Sequence, residues 1–211
     1  MNWFLDMCIV IFYASNTDDI KSVKSCEFVK NKNNNKFLLC FYITKENMPK
    51  WIRRQNLILK IIGTKILDPS AELEKIEGYQ DLFSQDIMIL KKRLAQYSSS
   101  ENKQNYYQKL RKNHDLLIQG IKYFLTKLID KEVVEKVDFE LKSALFTFMQ
   151  NHSDAITLAS GIQHCNEEEL TIITGDKKDW NMNNIEWAFS SNPNLHKRYE
   201  NIPEIKYIQD L

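Results

Sequence analysis

The chain has 211 residues, enough for one domain with a sizeable core. Its 29 basic residues against 28 acidic ones leave a formal charge of +1, so bulk charge excludes no partner and favours none; any electrostatic attraction must be local. Four cysteines (Cys8, Cys26, Cys40, Cys165) form no C-x-x-C pair, which argues against a zinc site and for reduced thiols in a cytoplasm.

The apolar start, Met1 to Ala14, lacks a basic leader, carries Asp6 inside the run and is too short to span a membrane. It reads as a buried strand, Asn2 to Leu5, that leads into Asp6 and then into a helix from about Cys8 to Ser15. An unpaired carboxylate is costly to bury, so Asp6 needs a partner. Between Asn16 and Lys36 the composition turns polar and predicts a solvated loop. Phe37 to Thr44 is a continuous apolar and aromatic run, as expected of an interior strand covered on both faces.

A helix should start near Lys45, with Pro49 tolerated in its first turn. Glu46 sits just past the strand end, as Asp6 does; it is either a site acid or an ordinary first-turn acid. Leu57 to Leu67 fits another strand or the end of that helix. From about Tyr79 to Lys136 the pattern is helical. Leu82, Leu90 and Leu94 share one face, and Leu110, Leu117, Ile121, Phe124 and Leu128 another; His114 falls on the second as a core or boundary residue. Basic residues alternate with aromatics here: Lys91, Lys92, Arg93 and Tyr97, then Tyr106, Tyr107, Arg111 and Lys112. Such a face suits phosphates and bases, or is simply solvated.

Val137 to Asn151 reads as a helix that delivers the chain to Ser153, a candidate N-cap with Asp154 in the first turn behind it. Ile156, Leu158, Ala159 and Ile162 continue at helical spacing, and Leu170, Ile172 and Ile173 form a short strand ended by Gly175. Asp176 follows that strand and Asp179 lies three residues further on a tight turn. Asn181 to Asn201 is poorly patterned, with a short helical stretch at Ile185 to Phe189. After Pro203, Ile205 to Ile208 reads as an edge strand.

Strand C-termini and helix N-termini share one edge of an open α/β sheet, where ligands bind. Asp6, Asp176 and Glu46 follow strands and Asp154 opens a helix, so these acids are placed to converge with Asp179. Two carboxylates about 5 Å apart repel by roughly 3 kcal/mol at an effective dielectric near 20. Three or four together make sense around a cation, and an all-oxygen set suits Mg²⁺ or Mn²⁺. A hard cation with open positions points to phosphate chemistry. A haloacid-dehalogenase phosphatase would need D-x-D, and position 8 is Cys. A nucleotide-binding α/β protein would need a glycine-rich loop, and the five glycines are scattered.

Three motifs in order carry a resemblance: Asp6 after the first strand, Asp-Ala-Ile-Thr-Leu-Ala-Ser at 154–160, and Ile-Thr-Gly-Asp-Lys-Lys-Asp-Trp at 173–180. Together they resemble PIN-domain nucleases, over about residues 1–15 and 140–210; the middle of the chain is unmatched. The resemblance implies a single α/β domain over residues 1–211, a three-layer α/β/α sandwich with a mostly parallel sheet, carrying a helical insertion at about 70–136. It implies a metal-dependent endoribonuclease using Mg²⁺ or Mn²⁺, with Asp6, Asp154 and Asp176 as catalytic metal ligands, Asp179 as the outer fourth and Thr174 as the hydroxyl that orients Asp176. Two departures from the family pattern stand out. The helix after the second strand has Pro49, Lys50 and Trp51 where the family places a Glu, which leaves Glu46 as an imperfect substitute, and Asp176 and Asp179 are one residue further apart than is commonest. The implied partner is RNA, with Lys91, Lys92, Arg93, Arg111 and Lys112 as candidate contacts and a homodimer as a further expectation. An antitoxin-like inhibitor fits less well, because the chain is longer than the compact toxins of the family. The alternative is a PIN-like scaffold that binds RNA or protein without cutting.

Overall fold

The computed structural model describes residues 1–134 and 136–211. It is an α/β protein built on five parallel strands: β1 (Asn2–Leu5), β2 (Lys36–Cys40), β3 (Lys131–Val133), β4 (Leu170–Thr174) and β5 (Glu204–Tyr207), in the order β3-β2-β1-β4-β5. Burial follows position in the sheet. All five residues of β4 are buried, whereas the edge strand β3 is largely exposed and the edge strand β5 is mostly half-buried, as strands with one neighbour should be. β1 pairs on one side with β2 (Phe4↔Leu38) and on the other with β4 (Leu5↔Ile173). The chain order therefore reverses at β1, and the crevice beyond the C-termini of β1 and β4 is the switch point of the sheet.

Helices cover both faces. Adjacent strand residues point to opposite sides, and the Trp3 ring packs tilted at 4.4 Å against Phe28 of α2 (Ile20–Lys30), while Phe4 lies against Gly161 of α7 (His152–Glu167). Phe28, Phe37 and Phe124 extend the aromatic layer on the Trp3 side. α1 (Met7–Ser15) follows Asp6 directly, one residue earlier than expected.

Several expectations are corrected. The polar stretch after Asn16 is the helix α2, not a loop: Asp19 caps it by accepting from the Lys21 and Ser22 amides, and its buried face consists of Ser22, Ser25, Phe28 and Val29. The second strand stops at Cys40 rather than Thr44, because β1 and β3 offer partners only that far. A π-helical turn, Ile43–Asn47, follows, and then α3 (Met48–Leu67), which settles Leu57 to Leu67 as helix through burial of Ile58, Ile61 and Ile62. The helical pattern does not run to Lys136. After α4 (Ser84–Ser99) and α5 (Lys103–Tyr123), residues 131–133 form β3, anchored by the Asp130 carboxylate, which accepts from the Phe37 amide at 2.7 Å. α6 (Phe139–Met149) leads into α7, and two helices, α8 (Met182–Ser191) and α9 (Pro193–Arg198), replace the single short stretch expected before β5.

The chain divides into two compact units, residues 1–47 with 119–211, and residues 48–118. The first holds the sheet. The second has its own core of Ile58, Ile61, Ile62, Ile76, Leu82 and Leu90, and an Arg54–Asp86 ion pair at 2.9 Å. Among the described residues no helix is long and apolar enough to cross a membrane.

Gly161 is where α7 meets the sheet. A Cβ there would lie 3.2–3.3 Å from Ile172 and Phe4, both fully buried and unable to yield. Gly161→Val should lower unfolding free energy by about 1–3 kcal/mol through overpacking, read as a lower urea midpoint at unchanged m-value.

Candidate metal centre

Asp6 ends β1 and stands at the N-cap position of α1, yet its side chain does not cap the helix. Its Oδ2 instead accepts from the Cys8 thiol at 2.7 Å and the Thr174 hydroxyl at 2.8 Å, and the residue is only 6% exposed. The same Thr174 Oγ1 accepts the Asp176 amide at 3.0 Å. One hydroxyl thus ties the end of β1 to the acid that follows β4. Cys8 adds a second tie, because its Sγ accepts the Gly175 amide at 3.1 Å. Burial, and then the neighbouring Asp6 carboxylate, push the Cys8 thiol well above its ordinary range, so it stays a protonated donor to Asp6.

Asp176 is held by its own turn: Oδ1 accepts from the Lys178 amide at 2.8 Å and the Asp179 amide at 3.2 Å. The loop continues into Trp180, whose side chain is fully buried, and Asn184 donates to the Asp179 carbonyl at 2.8 Å. On the opposite wall Asp154 sits in the first turn of α7. The N-cap is Asn151, not Ser153: its side chain accepts from the Ser153 and Asp154 amides, so the helix starts at His152, and its amide donates to Asp154 Oδ2 at 2.5 Å.

One carboxylate oxygen from each of Asp154, Asp176 and Asp179 lies within 4.8 Å of the other two. Asp6 is not in that trio but stands beside it. Desolvation raises the Asp6 carboxyl, its hydrogen bonds with Cys8 and Thr174 oppose this, and the charge of Asp176 adds to the rise. Asp154 is pushed up to about 7, first by desolvation and then by the charges of Asp6, Asp176 and Asp179. The Trp180 indole lies near enough to Asp154 to favour its charged form, although its N–H falls short of hydrogen-bond geometry. Asp154 thus feels the charges of the other three acids, and its trio with Asp176 and Asp179 offers oxygen donors only, the donor type that hard divalent cations take.

The other sequence candidates lie elsewhere. Glu46 is exposed and borders a different cavity, with Tyr42, Lys142, His152 and Ile156. Lys91, Lys92, Arg93, Arg111 and Lys112 belong to the 48–118 unit; all are exposed except Arg93, which is half-buried, with its guanidinium lowered by desolvation. Sequence reasoning missed Cys8, Asn151 and Trp180. The available signals were an i, i+2 relation to Asp6, a capping side chain one residue before the helix, and an aromatic closing the acidic turn.

No family model, no curated protein and no solved structure matches the chain.

The elevated Asp154 carboxyl has a definite sign. A folded-state value above the ordinary one contributes stability that is present below about pH 4 and lost as pH rises through about 7. Without divalent ions, Asp154→Asn should therefore flatten the decline in melting temperature between those limits and raise it at pH 8 by roughly 2–6 °C. Mn²⁺ should stabilise the wild type and not the variant. Thermal scans in EDTA and in Mn²⁺ across the pH range measure both; a wild-type curve as flat as the variant's contradicts the account.

Proposed function

We propose that the chain is a PIN-like three-layer α/β/α nuclease that hydrolyses RNA phosphodiester bonds with Mg²⁺ or Mn²⁺. The observation that carries this reading is the meeting of the Asp154, Asp176 and Asp179 oxygens within 4.8 Å at the C-terminal edge of a parallel sheet. Acids so close, one of them already raised to about 7, are an expensive arrangement unless a cation neutralises them. The chemistry a divalent ion held there would supply is polarisation of a phosphoryl oxygen and offset of the charge that builds during displacement by water.

The residues of the chain supply the rest. Asp154, Asp176 and Asp179 would hold the ion, with Asp6 as an inner neighbour. Thr174 and Cys8 fix the Asp6 carboxylate, and Thr174 also fixes the backbone of Asp176. Asn151 orients Asp154, and Asn184 steadies the Asp179 loop from beneath. No Ser, Cys or His nucleophile is needed.

The test is cleavage of single-stranded RNA with Mn²⁺ or Mg²⁺. Asp154→Asn and Asp176→Asn should each reduce the rate by about 100-fold or more, and Thr174→Val by about 10- to 100-fold, with circular dichroism unchanged. Full activity in both Asp variants dismisses the proposal. The non-cutting scaffold remains the second reading, favoured by Glu46 bordering a separate cavity and by the engagement of Asp6 Oδ2 with Cys8 and Thr174. Calorimetric titration separates the two: Mn²⁺ binding abolished by Asp176→Asn belongs to the nuclease, and absence of Mn²⁺ binding to the scaffold.

A further inference from the structure

Immediately beside the acids the crevice changes sign. A cavity of about 520 Å³ has Asp176 in its wall and is otherwise lined in part by Phe12, Lys21, Lys177, Lys178 and Gln209. Its volume suits a nucleotide-sized ligand. The three ammonium groups differ in how they are held. Lys177 is paired with Asp210 at 2.7 Å, so its charge is already offset. Lys21 is half-buried; its Nζ donates to the Gly175 carbonyl at 2.8 Å and stands 5.5 Å from the centre of the Phe12 ring, and neither contact neutralises it. An ammonium has three donors, so Lys21 is fixed in place with donors to spare. Lys178 is 91% exposed and only 4.0 Å from Asp179, too long and too solvated for a strong pair. Gln209 lines the same cavity.

We infer that this cavity seats a backbone phosphate of single-stranded RNA next to the one being cut, with Lys21 as the fixed anchor and Lys178 as the outer contact. The inference rests on the nuclease reading for the words "being cut", and on the cavity alone for the phosphate. The acids repel a polyanion and the lysines attract it, so the two walls impose a direction. The strand is held at the basic wall while an adjacent phosphate faces the carboxylates. Phe12 gives the anchor an aromatic face, 5.5 Å from the ammonium to the ring centre.

The test is fluorescence anisotropy with a short labelled single-stranded RNA over a salt series, in EDTA so that metal-dependent hydrolysis is silent. Lys21→Gln and Lys178→Gln should each weaken low-salt binding by about threefold to tenfold and reduce the salt slope by about 0.7, with the double variant losing about 1.4. Lys21→Arg should restore the slope. Lys178→Gln, at an exposed site, keeps the test valid if loss of the Lys21–Gly175 contact disturbs the turn. Excess nucleoside 5′-monophosphate should not displace the RNA; displacement at micromolar concentration assigns the cavity to free nucleotides and overturns the inference. Wild type that binds with a lysine-dependent slope but never cleaves in Mn²⁺ overturns the nuclease reading and upholds the phosphate seat. Cleavage whose KM and salt slope ignore both lysine variants does the reverse. No RNA binding by the wild type overturns both.

Discussion

Parallel pairing of β1 with β4 is the constraint from which the site follows. It sets Leu5 beside Ile173, so the residues just beyond each strand emerge together at one edge of the sheet. Asp6 and Asp176 are those neighbours, and the Thr174 hydroxyl spans them, donating to one and accepting from the amide of the other. Side chains remote in sequence become partners through a backbone register. α7, packed on the sheet through Gly161, then carries Asp154 in its first turn to the same place.

What the fold assembles there is unfavourable on its own terms. Asp154 is raised to about 7 by burial and by three like charges, and Asp6 is raised as well despite two donors. Repulsions of about 3 kcal/mol per close pair are large against a total domain stability of roughly 5–15 kcal/mol. The surroundings keep the cluster in shape by turn and cap hydrogen bonds that do not neutralise it: the Asp176 turn, the Asn151 cap and the buried Trp180 under the loop. This rigid framing of unneutralised charge differs from an ion-pair network, in which basic side chains would fill the gaps.

Much of the sheet and the acid positions was legible in the sequence, because both are written in strong local signals. β1, β2 and β4 are predominantly apolar, Asp6 and Asp176 follow β1 and β4, and Asp154 lies in the first turn of a helix. The failures share a cause: elements whose stability comes from tertiary context. In α2 the small hydroxyls Ser22 and Ser25 occupy buried positions, so its hydrophobic stripe is nearly invisible, although Asp19 marked its start. β3 shows a single buried residue, Val133, and owes its place to hydrogen bonds with β2 and to Asp130. Cys8 carried only its i, i+2 relation to Asp6, which served in the D-x-D comparison to exclude a phosphatase; its bond to Asp6 is a matter of geometry. The basic, aromatic-rich helices were conspicuous in sequence and belong to the other compact unit, whereas Lys21 lay within what read as a featureless loop.

The 168 positions between Leu5 and Ile173 also bear on how the protein is made. β1 is synthesised before its neighbour β4, which comes roughly ten to thirty seconds later at translation rates of about 5–20 residues per second. During that interval Phe4, Leu5, Ile9 and Val10, all fully buried in the finished protein, lack the cover that β4 and the helix before it supply. Such long-range parallel closure is slow and leaves the nascent chain open to misassociation.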